Sequence, residues 1–274
     1  DGFSISGADH WYTLPAHRVR AINNELAQST FLPGWLRAVG PGWISWGVES
    51  FLDEIAHEQG QDPLAMRLAM LDGAGKNAGG SGSTVGGATR LAAVLRDVAE
   101  RAGWGRDMPA NEGLGIGVGH GQERGMPTWV ACVAHVAVDP SSGDVTLKKL
   151  WQTIDVGTVV NPDGAMAQAE GAALWGVSLA LHEGASFANG EVAEQNLDQY
   201  TPLRMAFRVE YTVRHFDKCV TLEHTACGRR AAALCDLLWS SRRSPSAGHG
   251  TLSQQQLRSS YNAKTNTCAI LQHK

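Results

Sequence analysis

The residues most able to do chemistry are cysteines, histidines, acids and glycine-bound lysines, and each group has to pass a spacing test. Cys219, Cys227 and Cys235 recur at intervals of eight, with Cys268 further on. Zinc sites draw two ligands from one tight turn, as in Cys-x2-Cys. No such pair occurs, and a His-x-x-Cys (His224, Cys227) is common by chance, so no metal site is assigned. Gly75-Lys76 invites a phosphate-loop reading. It fails, because Met70 stands where the leading glycine should be and Asn77 follows the lysine instead of Ser or Thr. The alternating Gly113, Gly115, Gly117, Gly119 and Gly121 lack the spacing of a dinucleotide fingerprint, and no helix pattern follows them. They suit a strand edge or close backbone packing. Asp155 and Glu170 do not read as an acid/base pair. Asp155 precedes a turn whose backbone N–H groups it can accept, and Asn161 precedes a proline as a helix cap does. His120 and His135 stand alone and read as structural.

These candidates need elements to hold them. Of 274 residues, 43% are hydrophobic and 18% charged, which is enough apolar content for a sizeable core. The 32 glycines show no collagen period. The net charge of −4 argues against a dedicated nucleic-acid binder. No window approaches a membrane span. The chain opens on Asp1, in mid-pattern, and is read as a fragment or a processed chain.

Residues 1–44 lack a sustained period. A strand is possible at Arg18–Ile22, and Gly34–Gly42 reads as exposed turns. From Gly47 a helix places Val48, Phe51, Leu52, Ile55 and Ala56 on one face, with Glu49, Asp53, Glu54 and Glu58 on the other. Gly60 ends it. Asp62 and Pro63 open a second helix as N-cap and N1, with Leu64, Leu68 and Leu71 on its apolar side. Residues 73–87 have linker composition. Leu91, Val94, Leu95, Val98, Ala99 and Ala102 mark an amphipathic helix closed by Gly103. Strands follow at Trp129–Asp139 and Val145–Ile154, joined by a turn at 140–144. Asn161-Pro162 opens a helix to about Leu181. Gly171 and Gly176 weaken it by about 1 kcal/mol each, so something is expected to approach its backbone closely. Phe187–Val192 reads as a hairpin with an Asn-Gly turn. The order of elements predicts an α+β fold of helices plus antiparallel strands, without βαβ alternation.

A further division falls near residue 218. Residues 219–274 hold seven Lys/Arg and two acids, a net of +5, leaving 16 basic and 25 acidic residues before them, a net of −9. From Arg242 the text is rich in Ser, Gln, Asn and Thr and has no period. Residues 219–274 are therefore read as an atypical basic, Cys-containing tail, disordered or non-native, and 1–218 as the folded region.

Three blocks within 1–218 carry a resemblance. The first is Gly34-Trp35-Leu36-Arg37-Ala38-Val39-Gly40, with Glu49–Ala56 and Asp62–Leu68. The second is Val138-Asp139, Gly143-Asp144-Val145, Ile154–Pro162 and Ala167-Gln168-Ala169-Glu170-Gly171. The third is Asn196-Leu197-Asp198-Gln199-Tyr200 with Leu203-Arg204-Met205. In order and spacing they resemble the later part of the large subunit of molybdenum hydroxylases, the xanthine dehydrogenase/aldehyde oxidase family, closest to the isoquinoline 1-oxidoreductase beta-subunit type.

The resemblance implies a molybdopterin-binding region. It implies an oxidoreductase that hydroxylates N-heteroaromatics or aldehydes with oxygen from water. The expected cofactor is molybdopterin with molybdenum, in bacteria often as the cytosine dinucleotide. Electrons are expected to pass to a partner subunit with two [2Fe–2S] clusters. Arg37, Ala38 and Val39 match the family segment beside molybdenum, and Gln168 matches a glutamine that hydrogen-bonds the pterin. Gly171 is expected in close packing and Glu170 in a structural hydrogen bond. One departure concerns the family's general base, a glutamate within Gly-x-Gly-Glu followed by proline. Glu223 has neither neighbour, so no catalytic residue is assigned, and a frame change near residue 219 would account for the shift in pattern. The alternative reading is a non-catalytic truncated remnant of such a subunit.

Overall fold

Between Gly87 and Ala102 (α4) the chain buries one whole side of a helix. Leu91, Val94, Leu95, Val98, Ala99 and Ala102 all enter the core, as their spacing predicts, and Gly103 ends the helix at φ +63°. The computed structural model describes residues 8, 10–30, 39–73, 87–123, 126–205, 207 and 210–215. Arg37, Ala38, most of the linker and the 219–274 tail lie outside the described residues.

α4 packs against a four-stranded sheet in the order β1-β2-β3-β6. β1 (Glu112–Glu123) pairs antiparallel with β2 (Met126–Val138) along its whole length, so the glycine run is an edge strand, as expected. β2 pairs antiparallel with β3 (Val145–Asp155), with a register shift at His135/Val136. α5 (Pro162–Leu181) follows, then a short hairpin of β4 (Phe187–Ala188) and β5 (Glu191–Val192), turned by Asn189 and Gly190 at φ +55° and +84°. The helices-plus-antiparallel-strands architecture is the expected α+β fold.

One connection departs from it. β6 (Glu210–His215) lies parallel to β3, so β3, α5 and β6 form a crossover, the alternation the sequence reading had excluded. Six residues far from their partner strand carry too weak a pattern to announce a parallel pairing.

Three local expectations are also corrected. No strand forms at Arg18–Ile22, where Ile22 is exposed. A short helix, α1 (Glu25–Thr30), comes just after it. α2 runs from Val39 to Glu58, eight residues earlier than Gly47, so residues 39–42 are helical and not turns. Pro41 is tolerated there because the first turn of a helix has no internal partner for its N–H groups. The predicted faces of α2 are partly inverted: Glu49 is 2% exposed and Phe51 is 61% exposed. Trp43 is also exposed.

α3 (Pro63–Met70) begins as predicted, with the Asp62 side chain accepting from Ala65 N at 2.8 Å. The segment before α1 crosses the core edge, and Trp11 lies against Gly87. A Cβ on Gly87 would stand 2.2 Å from the indole ring, so only glycine lets the two meet. On the sheet, Gln152 is 1% exposed, in register between Cys132 and Val213, and among the described residues neither amide atom finds a hydrogen-bond partner.

Candidate functional site

Two assemblies of polar side chains stand out. The first is the junction between β3 and α5. Asp155 ends β3 directly opposite Trp129 of β2. Arg90 reaches both from the first turn of α4. Its Nε donates to Asp155 Oδ2 at 2.6 Å, its Nη2 pairs with Oδ1, and its guanidinium lies 4.1 Å from the centre of a Trp129 ring. Asp155 Oδ1 also accepts from Gly157 N at 3.1 Å, the turn role expected of it. Gly157 sits at φ +76°, which favours glycine.

The chain then meets Asn161, whose Oδ1 accepts from Gly164 N at 3.0 Å as the N-cap of α5, with Pro162 at the first helical position. α5 turns Ala169, Ala172, Ala173, Gly176, Val177 and Ser178 inward. Gly164, Gln168 and Gly171, spaced i, i+4 and i+7, share another face, on which Gln168 and Gly171 are exposed. A Cβ at Gly171 would meet nothing within 4 Å. Close packing at Gly171 is therefore not found within the described residues, and the glycine leaves the backbone open instead.

The far end of α5 is tied down by the third block. Glu183 accepts from Ser178 Oγ and from Tyr200 OH, both at 2.5 Å, and Leu203 N donates to Ser178 Oγ at 2.8 Å. Burial, then the hydrogen bond and charge of Glu183, push the Tyr200 hydroxyl up to about 12. An open groove lies beside it, lined by Ala185, Val192, Leu197 and Tyr200 among others.

The second assembly is sealed. Glu49 of α2 accepts from Tyr12 OH at 2.8 Å, from Arg67 Nε at 2.9 Å and from Val118 N at 3.2 Å. Arg67, 0% exposed, also donates to Asp53 Oδ1 at 2.6 Å and to the carbonyls of Glu49 and Pro63. Burial pulls the guanidinium down, but Glu49 and Asp53 outweigh it and hold Arg67 well above its usual range. Burial pushes Glu49 up against the opposing pull of Arg67. A small cavity beside the cluster is lined by His10, Tyr12, Ser45, Glu49 and His120, among others. Sequence reasoning missed this cluster, though one signal was present: Arg67 falls within the apolar stripe of Leu64, Leu68 and Leu71.

The expected cofactor residues are not brought together by what the structure describes. Gln168 stands on α5, Val39 is the first residue of α2, and Arg37 and Ala38 lie outside the described residues. His135 contacts Glu112 at 2.5 Å. Among the described residues no group of three His, Cys, Asp or Glu side chains could hold a metal ion.

Residues 83–206 match the family model of a molybdopterin cofactor-binding domain. The chain is also 30% identical over 195 residues to isoquinoline 1-oxidoreductase subunit beta of Brevundimonas diminuta, a match covering 71% of this chain and 23% of that protein. The chain belongs to the molybdenum hydroxylase family.

Within that family a further similarity is to the membrane-bound aldehyde dehydrogenase [pyrroloquinoline-quinone] of Gluconacetobacter polyoxogenes. It is 55% identical over 207 residues, 75% of this chain and 27% of that protein. The chain thus spans about a quarter of the length of these relatives. The aldehyde oxidoreductase of Desulfovibrio gigas shares the fold, with a TM-score of 0.50 at 12% identity over 75% of this chain and 38% of that one. The quinone in one relative's name and the molybdopterin of the family model disagree. The family model carries more weight, because it describes residues 83–206 themselves, whereas the name belongs to a whole protein of which this chain matches 27%.

A molybdenum hydroxylase must present its chain to a large anionic pterin. The outward face of α5 fits that group. Gln168 carries an amide with both a donor and an acceptor, and Gly171 leaves room along the backbone, whereas the space at Gly164 is taken up by the Asn161 cap.

Proposed function

We propose that this chain forms the later part of the molybdopterin-binding subunit of an oxidoreductase that hydroxylates an N-heteroaromatic or aldehyde substrate, with water as the oxygen source. The observation that carries the reading is the exposed Gln168–Gly171 face of α5, set past a capped helix start, where a Cβ at Gly171 would meet nothing within 4 Å. Gln168 would hydrogen-bond the pterin, and Arg37, Ala38 and Val39 would line its molybdenum side. The start of α5 adds the positive end of a helix dipole, which favours an anion nearby. When bound, the molybdenum cofactor supplies the oxygen-transfer and electron-accepting chemistry. The cofactor would take the cytosine dinucleotide form, and a partner with two [2Fe–2S] clusters would take the electrons. Two relatives are named as subunits, which supports a multi-subunit assembly.

The test is to express the chain in a host that makes molybdenum cofactor, then assay molybdenum and the oxidised pterin fluorophore. Near-stoichiometric amounts of both are expected. Their absence, or a quinone in their place, overturns the reading. A second reading is favoured by Glu223, which lacks the sequence neighbours of the family's general base: the subunit is non-catalytic. Retained pterin without turnover of any aldehyde or N-heteroaromatic would select it.

A further inference from the structure

Arg90 lies outside every motif that carried the family resemblance, yet it joins three elements at the junction just described. Trp129 and Asp155 face each other across β2 and β3, and Arg90 descends from α4 onto both. A guanidinium can fork to both oxygens of a carboxylate while stacking flat on an indole, and an ammonium can do neither. The fork fixes the orientation of Asp155. One of the same two oxygens accepts from Gly157 N, so the carboxylate dictates how the chain leaves β3. Only the residues from Gly157 to Val160 then separate this point from Asn161, the cap of α5.

We propose that Arg90 is a positioning residue that sets the Val156–Asn161 turn, and through it the outward face of α5, for cofactor binding. The proposal rests on the molybdopterin reading above. It does not require Arg90 to touch the cofactor, because its reach is taken up by Asp155 and Trp129. The nearby pair of Arg101 and Asp97 shows the contrast: Arg101 binds the Gln152 carbonyl and Thr153 Oγ1 in mid-strand, where it braces the sheet and no turn depends on it.

The experiment compares wild-type chain with Arg90→Lys, Arg90→Ala and Asp155→Asn. Backbone hydrogen exchange is read at Gly157–Gly164 and at Leu91–Ala102, and pterin content is assayed on the same preparations. Arg90→Lys keeps the charge and loses the fork. It is expected to speed exchange at Gly157–Gly164 while leaving α4 protected, and to lower pterin retention by roughly tenfold, a usual cost of losing a group that orients a ligand-binding element. Asp155→Asn should do the same, and combining it with Arg90→Ala should add little further. Unchanged exchange at Gly157–Gly164 in both Arg90 variants overturns the proposal. So does faster exchange with pterin held at the wild-type level. A wild-type chain that takes up no pterin overturns the function proposed above, and the role of Arg90 in setting the turn then stands or falls on exchange alone.

Discussion

Two arginine–carboxylate assemblies in this chain use the same chemistry at opposite degrees of enclosure. Arg67 is sealed between α2, α3 and β1, with Glu49 inside the core and Asp53 at its edge. Arg90 sits at the end of a sheet, and beyond its carboxylate the chain turns outward to an exposed helix face. The first assembly joins elements to one another. The second aims one element at what lies outside. Residue type does not distinguish them; what lies on the far side of the carboxylate does.

The sharpest way to break that comparison is to remove each cation in turn. Arg67→Met strands Glu49 and Asp53 in the interior and is expected to cost about 3–5 kcal/mol in urea denaturation. Arg90→Met leaves Asp155 with Gly157 N and access to water, and should cost about 1 kcal/mol. Equal losses would erase the distinction. Gly87→Ala tests the N-terminal wall of the sealed region. The added methyl collides with Trp11, and a loss of about 1–3 kcal/mol is expected by thermal or chemical unfolding.

Gln152→Leu acts in the opposite direction. It replaces an amide that makes no hydrogen bond among the described residues with an apolar group of similar size, and should raise stability by about 1–2 kcal/mol. A destabilised variant would mean the amide has a partner after all. At the open junction, Asn161→Ala removes the cap and should cost about 1 kcal/mol, with faster exchange at Gly164 N as its local mark.

The smallest effect is a pH dependence at the other end of α5. The Tyr200 hydroxyl is held up to about 12, above its unfolded value near 10. A raised pKa means the folded state keeps the proton longer. The stabilisation is therefore fully present below about pH 10 and is lost as pH rises toward about 12. Tyr200→Phe should flatten stability over that window in denaturation curves taken at several pH values; an unchanged slope would exclude the Glu183–Tyr200 contact as its source.

Much of the outward junction was legible in the sequence because its signals are local. Asn161 followed by Pro162 announces a helix start, the apolar period of Leu91–Ala102 announces α4, and Asn189-Gly190 announces a two-residue hairpin turn. Gln168 and Gly171 could be placed on α5 from the sequence alone. The sealed cluster was not legible. Reading α2 by period put Glu49 on the solvent side, since nothing within the helix shows that Arg67, on the next helix, will neutralise it. The parallel partner of β3 was equally hidden, because its pairing is made across an intervening helix and hairpin.

The sequence by itself determined the helix caps, the turn glycines and the motif order that marks a molybdenum hydroxylase, because each depends on neighbours a few residues apart. Only the tertiary structure decided which charges go inside and which way α5 faces. Those outcomes depend on partners such as Arg90 and Asp155, 65 residues apart, whose pairing exists only once the sheet and α4 have packed.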